Sequence, residues 1–341
     1  MSQEPPPGWS PQQPPPFGAP PGPPLPPESG WAPPPPAPQP GVVPLRPLRM
    51  GEIMSGAIEY VRRYPRAVIS ISAAVGVAAA FVQLAFLGFS AGDLDDVLTS
   101  DPATLTPEQL LDLLITLGTL TAISGAVAGV LQVLGTGMLA HVMGRAVIGR
   151  ATTAGEAWTL VRPQILRLLA ATILVSVLVS VAIGLPLAPG AALLAMGATE
   201  SGALALLTGS VAALALGVWV SFSLILTTVS LALEDCGPIT AMKRSWRLVR
   251  GGFWRTLGIV LVGSIVGQAV GSIAAVPFSV VGSASGELTT AATFATAMAG
   301  MVTVLVALPF VAGVTTLVYI DRRMRVEGLA TTLTASAEPA A

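Results

Sequence analysis

The chain has 341 residues, 52% hydrophobic and only 10% charged, with a formal net charge of -1 and a mean hydropathy of +0.75. A water-soluble domain carries about 25% charged residues, so a soluble globular fold is excluded. A single cysteine, Cys236, and a single histidine, His141, exclude an intrachain disulfide, a Cys/His zinc site and a multi-histidine metal centre.

Residues 1–47 read as a proline-rich tail. Proline removes backbone donors and the segment lacks the apolar side chains of a core, so disorder with polyproline II bias is expected. No basic stretch leads into an apolar core here, so the segment is not read as a secretory signal. Trp9, Phe17 and Trp31 interrupt the prolines. A protein partner with an aromatic groove would recognise such a segment, and a solvated spacer is the plainer expectation.

Six apolar stretches follow, at about 67–89, 113–141, 166–187, 203–233, 256–281 and 291–320. Each exceeds the roughly 20 residues that a helix needs to cross a hydrocarbon core. Their apolar character is continuous, not alternating, which favours helices over barrel strands. Pro186 to Gly190 is expected to end the third span, and Pro277 and Pro309 to kink the fifth and sixth.

The charges between the spans alternate. Basic residues fall before the first span (Arg46, Arg49, Arg62, Arg63, Arg66), in the second connection (Arg145, Arg150, Arg162, Arg167), in the fourth (Lys243, Arg244, Arg247, Arg250, Arg255) and after the sixth (Arg322, Arg323, Arg325). The first outer loop carries only acids (Asp93, Asp95, Asp96, Asp101, Glu108, Asp112), the third connection only Glu200 and the fifth only Glu287. The positive-inside bias then places both termini in the cytoplasm of a bacterial plasma membrane. The outer acids lack EF-hand spacing and read as a solvated loop.

A short phrase precedes each odd-numbered span: Tyr60-Val61-Arg62, Leu160-Val161-Arg162 and Leu248-Val249-Arg250. A second basic residue follows each, at Arg66, Arg167 and Arg255. This suggests a threefold repeat of surface helix, span, outer loop and span. The expected apolar stripes are Met54, Ala57, Ile58 and Val61; Trp158, Val161 and Ile165; and Ile239, Met242, Trp246, Val249 and Phe253. Pro163 must kink or end the second helix. An apolar stripe beside a basic rim is how a helix lies in a membrane interface. Lys243, Arg244, Arg247, Arg250, Arg62, Arg63 and Arg162 are therefore candidates for contact with anionic lipid headgroups, against the plainer role of topology determinants.

Gly263, Gly267 and Gly271 in the fifth span, and Gly125 and Gly129 in the second, have the spacing that lets helices approach closely. They read as intramolecular packing faces. Gln83, Gln132 and Gln268 are polar groups inside spans, and each requires a partner. His141 reads as a structural interfacial histidine. No acid or base lies near the middle of a span, which argues against proton- or ion-coupled transport. P-loop, HExxH, GxSxG and CxxC patterns are absent.

The segments GVVPLRPLRMGEIMSGAIEYVRRYPRAV, LEDCGPITAMKRSWRLVRGGFWRTLGIVLV and YIDRRMRVEGL resemble an actinobacterial family of six-span membrane proteins. That family is labelled after the membrane domain of glycerophosphoryl diester phosphodiesterase. The resemblance covers about residues 41–329 and implies no catalytic residue here. The phosphodiesterase domain itself is a metal-dependent barrel with paired histidines, and this chain has one histidine.

The expectation is an all-α integral membrane bundle: residues 1–47 as tail, 48–329 as six spans with three amphipathic cytoplasmic helices, and 330–341 as a second disordered tail. A non-catalytic scaffold or regulatory protein of envelope or lipid processes is the first functional reading. A transporter of a lipid-like or amphiphilic substrate is the alternative. No cofactor and no nucleic-acid partner is expected; membrane lipids are the expected partners. A filled bundle centre favours the scaffold, and a cavity lined by Gln83, Gln132 and Gln268 favours transport.

Overall fold

Inside a bilayer no water satisfies backbone N–H and C=O groups, so a continuous apolar segment closes its own hydrogen bonds as a helix. The computed structural model describes residues 41–44, 46–98, 107–285 and 290–328. Its helices are α1 (Met50–Arg63), α2 (Pro65–Leu98), α3 (Pro107–Val147), α4 (Ala154–Val161), α5 (Ile165–Ala195), α6 (Thr199–Ser223), α7 (Thr227–Glu234), α8 (Pro238–Arg250), α9 (Phe253–Ala284) and α10 (Thr290–Glu327). No strand occurs among the described residues. Six helical stretches are long and apolar enough to cross a membrane: Pro65–Phe86, Ile123–Val147, Ala154–Leu194, Thr199–Glu234, Phe253–Ala284 and Thr290–Glu327. The expectations for residues 1–40, for the C-terminal tail 330–341, for Glu287 and for the first outer loop's acidic side chains lie outside what is described.

The short helices start where local chemistry satisfies their free N–H groups. Glu52 accepts the Arg49 N–H at 2.7 Å, and Thr153 Oγ1 accepts the Glu156 N–H at 3.2 Å. Gly237 caps α8, and Pro238 supplies its preset first turn. Pro163 sits in a 3₁₀ turn, Arg162–Gln164, that ends α4 and leads into α5.

Element order repeats three times: a short helix and two long ones (α1–α3), again with the last helix broken (α4–α7), and again (α8–α10). In each copy the two long helices pack against one another. The centre belongs to α10, which packs on α9, α2, α1, α3, α8 and α7. In its most apolar stretch 56% of residues are buried, against 11% for the span containing α5. The largest cluster of buried side chains gathers at the basic end, around Leu48, Ile53, Tyr60, Leu139, Met143, Leu317 and Tyr319. The α5–α6 hairpin packs chiefly on itself and touches α3 and α9 only sparingly.

The structure corrects the sequence reading at several points. The tail boundary at residue 47 is too late. Val42 and Val43, inside the expected tail, are buried, and the Val42 N–H donates to Ala146 O at 3.3 Å. The proline content masked this short apolar anchor, which Gly41 allows by lying against the Ala146 and Val147 carbonyls where no Cβ fits.

Pro186 and Pro189 do not end the third span, since α5 runs through both to Ala195. Packing against α6 offsets the lost backbone bonds: Gly202, Gly209, Ala213 and Gly217 form a buried small-residue face on α6, with Gly209 against the Pro186 carbonyl.

The fourth span is not continuous but breaks at Leu224–Leu226. Ser245 of α8, fully buried, fills the break. It donates to Ser223 O at 2.9 Å and accepts the Leu226 N–H at 3.2 Å.

The buried faces of the short helices are also rotated from the expected stripes. In α1 they are Ile53, Gly56, Ala57 and Tyr60, and Ile58 is exposed. In α8 they are Ala241, Met242, Ser245, Leu248 and Val249, and Ile239 is exposed. These helices cover the bundle's own basic end as well as presenting a face outward, a competition that helical periodicity alone cannot resolve.

Candidate functional site

The basic end is built from two ion networks and a set of free cations. In the first network Glu234, at the end of α7, receives the Tyr319 hydroxyl and the Arg244 guanidinium, and Arg323 approaches it at 3.3 Å. Glu327 accepts from Arg244 at 2.8 Å and Arg323 at 2.9 Å, with Arg247 at 3.8 Å. Arg323 also lies over the Tyr319 ring, 5.8 Å from its centroid. Burial would lower the Arg244 pKa, but its bond to Tyr319 and the carboxylates of Glu234 and Glu327 raise it above its ordinary value. Nearby, burial and then Glu234 raise the pKa of the Cys236 thiol.

The second network centres on Asp321, which is 1% exposed. It accepts Arg325 Nε through both oxygens at 2.9 and 3.0 Å and the Leu48 N–H at 2.8 Å, and Arg255 lies 3.4 Å away. The Leu48 carbonyl accepts from Arg255 at 2.5 Å and Arg325 at 2.9 Å. This knot ties the segment before α1 to the start of α9 and the end of α10. Arg322 is buried as well and donates to Leu248 O at 2.8 Å, satisfying a carbonyl in the last turn of α8.

The candidate lipid contacts therefore divide. Arg244 is withdrawn into the first network, a correction that no spacing rule could supply, because its acids come from α7 and α10. Arg247 is exposed with only its long pair to Glu327. Lys243, Arg250, Arg62, Arg63 and Arg162 are exposed and form no ion pair among the described residues. The arginine of the repeated phrase (Arg62, Arg162, Arg250) is thus exposed in all three copies. The apolar side chains Ile58, Trp158, Ile239 and Trp254 are exposed at the same end.

The glycines divide too. Gly263, Gly267 and Gly271 lie buried against α10, where a Cβ would stand 2.9 Å from Val314 Cγ1, 3.0 Å from Val311 Cγ2 and 2.9 Å from Thr303 O respectively. Gly125 and Gly129 do not pack among the described residues: a Cβ on either meets none of them within 4 Å. The packed glycines of α6 were legible as well: Gly209, Ala213 and Gly217 carry the small-xxx-small spacing.

The three glutamines line two adjoining cavities. Gln132, Gln268, Ser264 and Thr303 face one of about 240 Å³ between α3 and α9, floored by α2 and α10. Gln83 lines a second, of about 390 Å³, which shares Ala79, Ala128 and Val304 with the first. Gln132 and Gln268 are exposed along this opening, and neither has a hydrogen-bond partner among the described residues. His141 is partly buried on α3, with no partner for Nε2 among the described residues. No group of three metal-ligating side chains comes together among the described residues.

Residues 48–330 match the family model described as a domain of unknown function, DUF7847. The chain belongs to this family. The DUF7847 domain thus covers every span and both ion networks. No curated protein and no solved structure matches the chain.

Proposed function

We propose that this DUF7847 protein is a non-catalytic membrane protein that takes up a lipid-like amphiphile in the cavity between α3 and α9. The observation that carries this reading is the pair of unpartnered amides, Gln132 and Gln268, in one mid-span cavity. An amide in hydrocarbon without a partner costs several kcal/mol, so these groups call for water or the polar part of a ligand. The sparse contact of the hairpin with α3 and α9 leaves apolar crevices on both sides, and one between α3 and α5 has a volume of about 670 Å³. Amide recognition without a nearby charge suits a neutral polar group attached to an apolar chain.

The second reading is a scaffold or regulatory protein of envelope or lipid processes, and the interlocked ion networks at the basic end favour it. Under both readings the basic end faces the cytoplasm of a bacterial plasma membrane, on the positive-inside bias. The resemblance to a family labelled after a phosphodiesterase's membrane domain brings no catalytic residue, and we propose no reaction.

The test uses the full chain purified in native-lipid discs, with bound amphiphiles identified by mass spectrometry. The double variant Gln132→Leu/Gln268→Leu is expected to lose a specific amphiphile about thirtyfold, as two hydrogen bonds of about 1 kcal/mol each imply. An unchanged set of bound lipids overturns the uptake reading and leaves the scaffold.

A further inference from the structure

At the opposite side of the hairpin, α6, α8 and α9 enclose a cleft of about 960 Å³. This is at the upper end of the roughly 300–1,000 Å³ typical of ligand sites. Its walls are Val211, Leu214 and Val218 at the deep end, and Trp219, Trp246 and Phe253 at the basic end. Trp219 and Trp246 meet edge to face at 4.9 Å, which fixes both rings. Trp254 also lines the cleft and is 79% exposed.

One charged residue lines this cleft, Arg250, and no acid does. Arg250 is exposed and has neither an ion pair nor a side-chain hydrogen bond among the described residues. Its neighbour Arg244 is neutralised by Glu234 and Glu327, so Arg250 keeps an uncompensated charge at the mouth. From Val211 to Ser223 the wall runs about 18 Å at the rise of an α-helix. That is close to half of a hydrocarbon core of about 30 Å, the depth of one leaflet.

We infer that this cleft is a binding site for one anionic phospholipid of the leaflet at the basic end. Its acyl chain lies along Val211, Leu214 and Val218, and its phosphate meets Arg250. Apolar walls disfavour water as the occupant. Tryptophans belong at the headgroup boundary, where one end of the ring is apolar and the other is wet. The site shares no residue with the Gln132–Gln268 cavity, so either can fail without the other.

Its own tryptophans report on it. The full chain carrying Trp9→Phe, Trp31→Phe and Trp158→Phe keeps Trp219, Trp246 and Trp254 as the only tryptophans. Reconstituted in phosphatidylcholine, it is titrated with phosphatidylglycerol or phosphatidylcholine brominated on the acyl chain. Brominated phosphatidylglycerol is expected to quench with about fivefold higher apparent affinity, the preference one unpaired basic residue gives at an anionic surface. Arg250→Gln removes the preference, Arg250→Lys retains most of it, and Arg247→Gln, outside the cleft, leaves it intact. Equal quenching by the two lipids overturns the site. So does an Arg247→Gln loss as large as that of Arg250→Gln, which would mark diffuse attraction by the whole basic face. Relief of quenching by soluble glycerol phosphate would overturn the bilayer as the source of the ligand.

Discussion

Asp321 illustrates what a single residue contributes here. Its carboxylate is out of solvent, yet two arginines and a backbone N–H surround it. A buried pair stabilises only while both sides remain, because the lone partner keeps its desolvation cost. Asp321→Ala is therefore expected to destabilise the folded protein by about 3–5 kcal/mol, read as a lower unfolding temperature in detergent. Arg46→Ala, which breaks an exposed pair with Glu52, is expected to change it by less than about 1 kcal/mol. Equal effects would refute the burial argument. The sequence marks Asp321 only as an acid among arginines after the sixth span. Nothing in it shows that Leu48, 273 residues away, supplies an N–H to it.

Among elements, the contrast lies between glycines of the same spacing. Gly267 faces α10 at contact distance, whereas a Cβ on Gly125 meets none of the described residues. Gly267→Leu should push α9 from α10 and cost about 1–3 kcal/mol, the usual range for overpacking. Gly125→Leu should be close to neutral or slightly stabilising through helix propensity. Thermal unfolding of the two variants separates these outcomes, and destabilisation by Gly125→Leu alone would reverse the assignment. Spacing states that two residues share a helix face; it does not state which helix faces them. The same limit explains the prolines of α5. Their local rule is to end a helix, and the small-residue face of α6 overrides it by packing closely along α5, with Gly209 against the Pro186 carbonyl.

For the whole molecule, the six spans imply that the basic and acidic ends lie on opposite sides of the membrane. Cys236 and Glu200 sample these two ends, and Glu200 is exposed. A membrane-impermeant thiol reagent should reach Cys236 only from the cytoplasmic side. In a Cys236→Ser background, Glu200→Cys should be reached only from outside. The opposite pattern would invert the orientation. Because the Cys236 pKa is raised by burial and then by Glu234, its thiolate forms at higher pH than a free thiol's. Its labelling should be slow near neutral pH and continue to rise with pH beyond the point where a free thiol has levelled off.

The sequence by itself determined the all-α class, the six spans, the segregation of charge and the short-long-long repeat. Those follow from composition and order along the chain, because a bilayer imposes one solution on each apolar segment. Only the tertiary structure decided which basic residues are free, which glycines pack and where the cavities lie. These depend on neighbours far apart in sequence: Arg244 meets acids from α7 and α10, while Arg250, six residues on, meets none among the described residues. Charges that look equivalent in the sequence thus divide between holding the fold together and standing exposed at the basic end.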